Sequence, residues 1–192
     1  MEVQPLSLLD ALKALGLCIL RTSRLLIQRR IHQPRNYVGV LVPFADGTTS
    51  SVYRETIVDR PASDTPVVLL VRFRLRWIHS QRTHAVFRWE SELNTVLFVG
   101  FPGFVSKLWL RHDEHGYYRG IYEWDGEQHA GAYVRALWWA LALVSEPKSI
   151  RYAIVPELHR DEFLRDPDHA STVALGPNGD WWRLASGNDR SE

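Results

Sequence analysis

Eight histidines, one cysteine and a run of alternating arginines are the first residues of this chain that could do chemistry. His112 and His115 lie three apart, but Asp113, Glu114 and Gly116 around them read as a solvated hairpin tip rather than a metal site. His84 and His129 stand at the starts of predicted helices. Each is a candidate base near a cavity, or a haem ligand, and the competing reading is a surface position at a helix start. No His-x-x-x-His pair occurs, so no dedicated metal site is expected. Cys18 is the single cysteine, which excludes an intramolecular disulfide and a cysteine zinc site. Arg72, Arg74 and Arg76 fall on one face of a predicted strand. Lys107 and Arg111 alternate in the same way on the next strand, and Glu123 could pair with them. This polar face is expected to be either solvated or part of a wet dimer contact, because three unpaired cations cannot be buried without a large penalty. In its functional version, bidentate arginines such as Arg74 hold an anionic ligand between subunits.

The elements that must position these residues follow from period and punctuation. Residues 5–31 read as one long helix with Leu8, Leu12, Leu15, Ile19 and Leu26 on a stripe that Leu9, Leu20 and Ile27 widen. Arg21, Arg24, Arg29 and Arg30 load its C-terminal half with positive charge. Such a helix either lies on a membrane surface, as a peripheral contact, or docks on the domain or a partner subunit. Residues 37–58 read as a β-hairpin around Asp46-Gly47. Strands are expected at 67–77, 104–111, 117–124 and 150–156, and helices at 82–99 and 127–144. The tail from His159 is polar, with a short helix at 160–165, and Trp181 and Trp182 are expected to tuck back onto the body. The organisation is an extension over 1–65, a domain over 66–158 and a tail over 159–192.

Strand, helix, strand, strand, helix, strand is the ferredoxin-like α+β arrangement. It predicts a four-stranded antiparallel sheet with two helices on one face and the other face solvated or covered by a partner. A formal charge of +1 gives no field that would mark a nucleic-acid binder. No signal peptide is evident, and the uncharged run Ala14–Leu20 is far shorter than the roughly 20 residues a bilayer needs, so cytoplasmic life is the default. Aromatic content is high, with eight Trp, seven Tyr and seven Phe, a supply of rings for an apolar pocket or an interface.

Three segments resemble the mono-oxygenase family of the dimeric α+β barrel superfamily. They are Pro102-Gly103-Phe104 followed by Lys107-Leu108-Trp109, then Gly120-Ile121-Tyr122-Glu123-Trp124, then Ala132-Tyr133-Val134. Order and spacing both fit over roughly half the chain. The first 65 residues and the tail lie outside the resemblance, and Ser106 stands where an aromatic is common in the family. The resemblance implies a homodimer and a small mono-oxygenase that needs neither metal nor flavin. Its substrate is an apolar, aromatic molecule held between helices and sheet. Trp109, Tyr122 and Tyr133 are the residues it points to as the lining, and Trp89 and Asn94 on the first helix could face the same space. Tyr122, Asn94 and His129 are the catalytic candidates, and Trp89, Trp109, Tyr133 and Arg74 the substrate-binding ones. For each ring the competing reading is plain core packing. Two other functions remain open on the same fold: a non-catalytic binding or interaction module, associated with a membrane surface through residues 5–31, and a haem-binding or haem-degrading protein.

Overall fold

The computed structural model describes residues 4–76, 98–168 and 179–186. The predicted helix at 82–99, with His84, Trp89 and Asn94, lies outside the described residues, except that Phe98 and Val99 sit in a turn. The described elements are α1 (Leu8–Ile27), β1 (Ile31–His32), β2 (Leu41–Pro43), β3 (Thr49–Val58), β4 (Pro66–Arg74) and β5 (Phe104–Leu110). After these come β6 (Tyr117–Asp125), α2 (Glu127–Val144), β7 (Arg151–Pro156) and α3 (Arg160–Arg165). Every strand expected from alternation is present within three residues of its expected ends, and the Asp46-Gly47 turn joins β2 to β3.

The sheet order is β1-β3-β5-β6-β4-β7, with β2 paired to β3. Four consecutive strands of this order, β5-β6-β4-β7, run antiparallel throughout. That is the ferredoxin-like order, in which two strands that are distant in sequence occupy the middle of the sheet. The N-terminal hairpin extends this sheet: β3 pairs with β5 from Val52 to Ile57 and covers what would be an open edge.

Two cores form, one per face. On the first face, α2 lays Ala130, Tyr133 and Ala136 over Leu69, Trp109, Tyr122 and Trp124, and Cys18 of α1 joins them. On the second face, Val68, Leu70, Leu108 and Ile121 meet Val42 and Phe44 of the hairpin, Phe163 of α3, and Trp181 and Trp182 of the tail. Phe44 bridges to Leu184, and Ala45 donates its amide to the Arg183 carbonyl, so hairpin and tail form one cover.

The second face is therefore neither solvated nor left to a partner; the chain's own hairpin, tail and α3 close it. Arg72 and Arg119 find partners within the chain. Asp46, from the hairpin turn, accepts a hydrogen bond from Arg119 at 2.7 Å and approaches Arg72 at 3.5 Å. Arg119 is also held by the fully buried Asp113. Arg72 stacks over Tyr117 and Trp181. A charged hydrogen bond of this kind contributes about 1.5–3 kcal/mol, enough to make the cover specific rather than merely apolar.

α1 docks on α2 with only Leu15 of its leucine stripe, beside Ala14 and Leu25, packed against the first core. Ala11, Cys18 and Thr22 face the body, whereas Leu8, Leu9, Leu12, Leu20, Leu26 and Ile27 are exposed. The cause is steric. A Cβ on Gly100 would stand 2.0 Å from the Cys18 carbonyl oxygen and 2.8 Å from the Thr22 amide nitrogen. The helix backbone thus lies directly on a glycine, and only small side chains fit between.

Candidate functional site

One feature of β5 decides the site. Its pairing with β6 shifts register between Phe104 and Ser106, so Val105 is the extra residue of a β-bulge. Before the bulge Phe104 faces α2. After it, parity changes, and Lys107 and Trp109 face α2 instead. A second shift at Tyr53 brings Arg54 and Thr56 of β3 alongside them.

Lys107 is therefore not on the arginine face. Its side chain enters the first core, where Nζ lies 3.2 Å from the centre of the Trp109 ring and 4.5 Å from those of Phe98 and Tyr122. No carboxylate pairs with it among the described residues. Burial, and then the charge of Arg54, hold the Lys107 ammonium well below the ordinary lysine range. The three rings favour the charged form through their quadrupoles, yet each such contact is worth only about 0.5–2 kcal/mol, so loss of hydration dominates.

Gly120 makes this cage possible. It sits opposite Trp109 in the ladder. A Cβ there would come 2.7 Å from a Tyr122 ring carbon and 3.2 Å from Lys107 Cε. The Gly120-Ile121-Tyr122 run thus has a mechanical reason: the glycine leaves the space that the tyrosine ring and the lysine stem fill.

Trp109, Tyr122 and Tyr133 do come together. Trp109 donates its indole N–H to Thr56 Oγ1 at 3.2 Å. The Tyr133 hydroxyl donates to the Tyr122 hydroxyl at 3.2 Å. Burial pushes both phenols above their ordinary values, so each stays a proton carrier at neutral pH. The rings continue through Phe101, Phe104 and Trp124 in edge-on and tilted contacts of 4.8–5.5 Å, an arrangement favoured by the ring quadrupoles.

Two other candidates lie elsewhere. His129 is exposed in the first turn of α2, its Nδ1 2.5 Å from the Asp125 carbonyl and its ring packed on Gly103. Gly103 takes a φ of +80°, the left-handed conformation that glycine tolerates best. Arg74 is half-exposed at the end of β4, where it forms a two-pronged contact with Glu146 at 2.7 and 3.0 Å. Neither shares the ring wall. Trp89 and Asn94 lie outside the described residues.

Lys107 is the residue that sequence reasoning misplaced, although a signal existed. Residues two apart on a strand share a face, so placing Trp109 toward the helices should have carried Lys107 with it. Phe98 and the β3 pair Arg54 and Thr56 had no such signal.

A separate cleft of about 710 Å³ opens near Arg30, Asp59, Arg60, Glu123 and His159. Its charges are largely committed: Arg60 to Asp125, His32 to Asp59, and His159 to Glu123. No group of three or more metal-ligating side chains occurs among the described residues.

No family model matches the chain, and no curated protein matches it. Among solved structures it is similar to an uncharacterized ferredoxin-fold protein from Listeria monocytogenes, related to antibiotic biosynthesis monooxygenases. The identity is 15% and the TM-score 0.42, over 69% of this chain and 85% of that one. The ferredoxin-like assignment rests on the strand order itself.

Proposed function

We propose that the chain is a small mono-oxygenase working without metal or flavin on an apolar, acidic aromatic substrate, with Lys107 as the proton acceptor. The observation that carries this is a buried amine among aromatic rings, held well below the ordinary lysine range and lacking a carboxylate partner among the described residues. Lowering the amine's pKa raises the share of its unprotonated form, the form that can act as a base. It takes the acidic proton of a phenolic ketone and becomes an ammonium, and the substrate anion stacked on Trp109 then reduces O2. Overall a substrate CH2 and O2 become C=O and water. Tyr122 and Tyr133, kept protonated by burial, are suited to donate to the substrate oxygen that gathers negative charge.

The mutual hydroxyl bond of Tyr122 and Tyr133 favours a second reading, a binding module whose rings are satisfied without a substrate. Oxygen uptake with a panel of hydroxylated tricyclic aromatic ketones separates the two. The oxygenase reading expects uptake by the wild type and at least about 100-fold less by Lys107→Met, with the near-ultraviolet circular dichroism unchanged. Unimpaired uptake by Lys107→Met removes the amine from the reaction. No uptake by the wild type across the panel leaves the binding module.

A further inference from the structure

The outer face of α1 is apolar, basic and turned away from every described residue of the body. Leu9 is 71%, Leu20 68% and Ile27 84% exposed. The helix is anchored by Cys18 and Thr22 against Gly100, with Ala11 buried on the same face, so its exposed leucines cannot turn inward without breaking that contact.

Charge distribution identifies what covers this face. Lys13 follows Leu9 by four residues and Arg24 follows Leu20 by four, which places each cation beside a leucine at the border of the stripe. Residues 4–35 hold six lysines and arginines against one carboxylate, Asp10, while the whole chain carries only +1. A second copy paired through this patch would bring together two segments that are each rich in cations, with one Asp10 apiece to offset them. An anionic lipid surface meets both requirements: its headgroups pair with the cations and its acyl boundary receives the leucines.

We propose that α1 docks the protein onto an anionic bilayer surface, with its leucine stripe at the headgroup–acyl boundary and Lys13 and Arg24 at the lipid phosphates and carboxylates. The helix lies in the surface plane: no helix of the described residues is long and apolar enough to cross a membrane. The proposal is independent of the Lys107 reading.

Vesicle flotation of the full chain tests it. The wild type is expected to float with phosphatidylcholine–phosphatidylserine vesicles and to remain in solution with phosphatidylcholine alone. Lys13→Gln/Arg24→Gln should weaken partitioning about 30-fold, and Leu9→Gln/Leu20→Gln should abolish it. Circular dichroism confirms that both variants are folded. Failure of the wild type to float with the anionic vesicles overturns the proposal. So does a lipid-free dimer, seen by sedimentation, that Leu9→Gln/Leu20→Gln converts to a monomer, because the face would then belong to a second copy.

Discussion

The Nζ atom of Lys107 lies 3.2 Å from the centre of the Trp109 indole, two residues along the same strand and on the same face. A lysine amine without a carboxylate partner among the described residues is an expensive occupant of a core, and its replacement by an apolar side chain of similar length relieves that cost to stability.

The first prediction uses the sign of that penalty. The Lys107 pKa is lowered in the folded state, whereas an unfolded lysine titrates near about 10.4. Between those two values the unfolded chain binds the extra proton, so stability rises with pH across the window and the penalty is greatest below it. Lys107→Met should therefore be more stable than the wild type at neutral pH, with an advantage that shrinks toward about pH 10.4. Urea unfolding of both proteins over a pH series measures the difference. A difference independent of pH would mean that the amine is hydrated.

Gly120→Ala should disturb the same cage from across the ladder. The new methyl would sit 2.7 Å from the Tyr122 ring, and either the ring or the lysine stem must move. Overpacking of this kind costs about 1–3 kcal/mol. Equilibrium denaturation reads the loss, and a neutral result would show that the ring has room to shift.

Cys18 is the chain's single cysteine and is buried where α1 meets Gly100. Burial also raises its thiol pKa, which lowers its reactivity. The native protein should react slowly with a thiol reagent. Gly100→Ala, whose methyl would overlap the Cys18 carbonyl, should lift α1 and speed labelling by about tenfold or more, in keeping with a local opening made easier by about 1.4 kcal/mol. Equal labelling rates would show that α1 is not held by this contact.

Asp46→Ala should loosen the cover over the second face. The substitution takes one carboxylate from Arg119 and the acidic partner from Arg72, leaving Arg119 with Asp113 alone. A loss of about 1.5–3 kcal/mol is expected. Proteolysis should start in the hairpin or the tail, which pair with each other. Wild-type stability in this variant would assign the closure to apolar packing.

Much of the fold was legible in the chain because it is written in short-range period. Alternation marked β4, β5, β6 and β7, Asp46-Gly47 marked the hairpin turn, and β–α–β–β–α–β implied the sheet order that is observed. Trp109, Tyr122 and Tyr133 were also recognisable as one group, since their motifs fall on two neighbouring strands and the helix above them. His129 and Arg74 were not distinguishable from site residues, because a helix start and a strand end look alike in sequence whether or not they border a core.

Local pattern by itself therefore marked β4 to β7 and α2, and the order in which those four strands pair. Tertiary structure decided how several elements turn toward or away from the body. The bulge at Val105 inverts the parity of β5 and carries Lys107 inward. The close approach of α1 to Gly100 buries its small residues and leaves most of its leucines exposed. The hairpin and tail then close a face that the sequence pattern left open. A one-residue register shift and a backbone contact at a glycine leave hydrophobic period almost unchanged, yet they reassign every side chain to its side of the sheet.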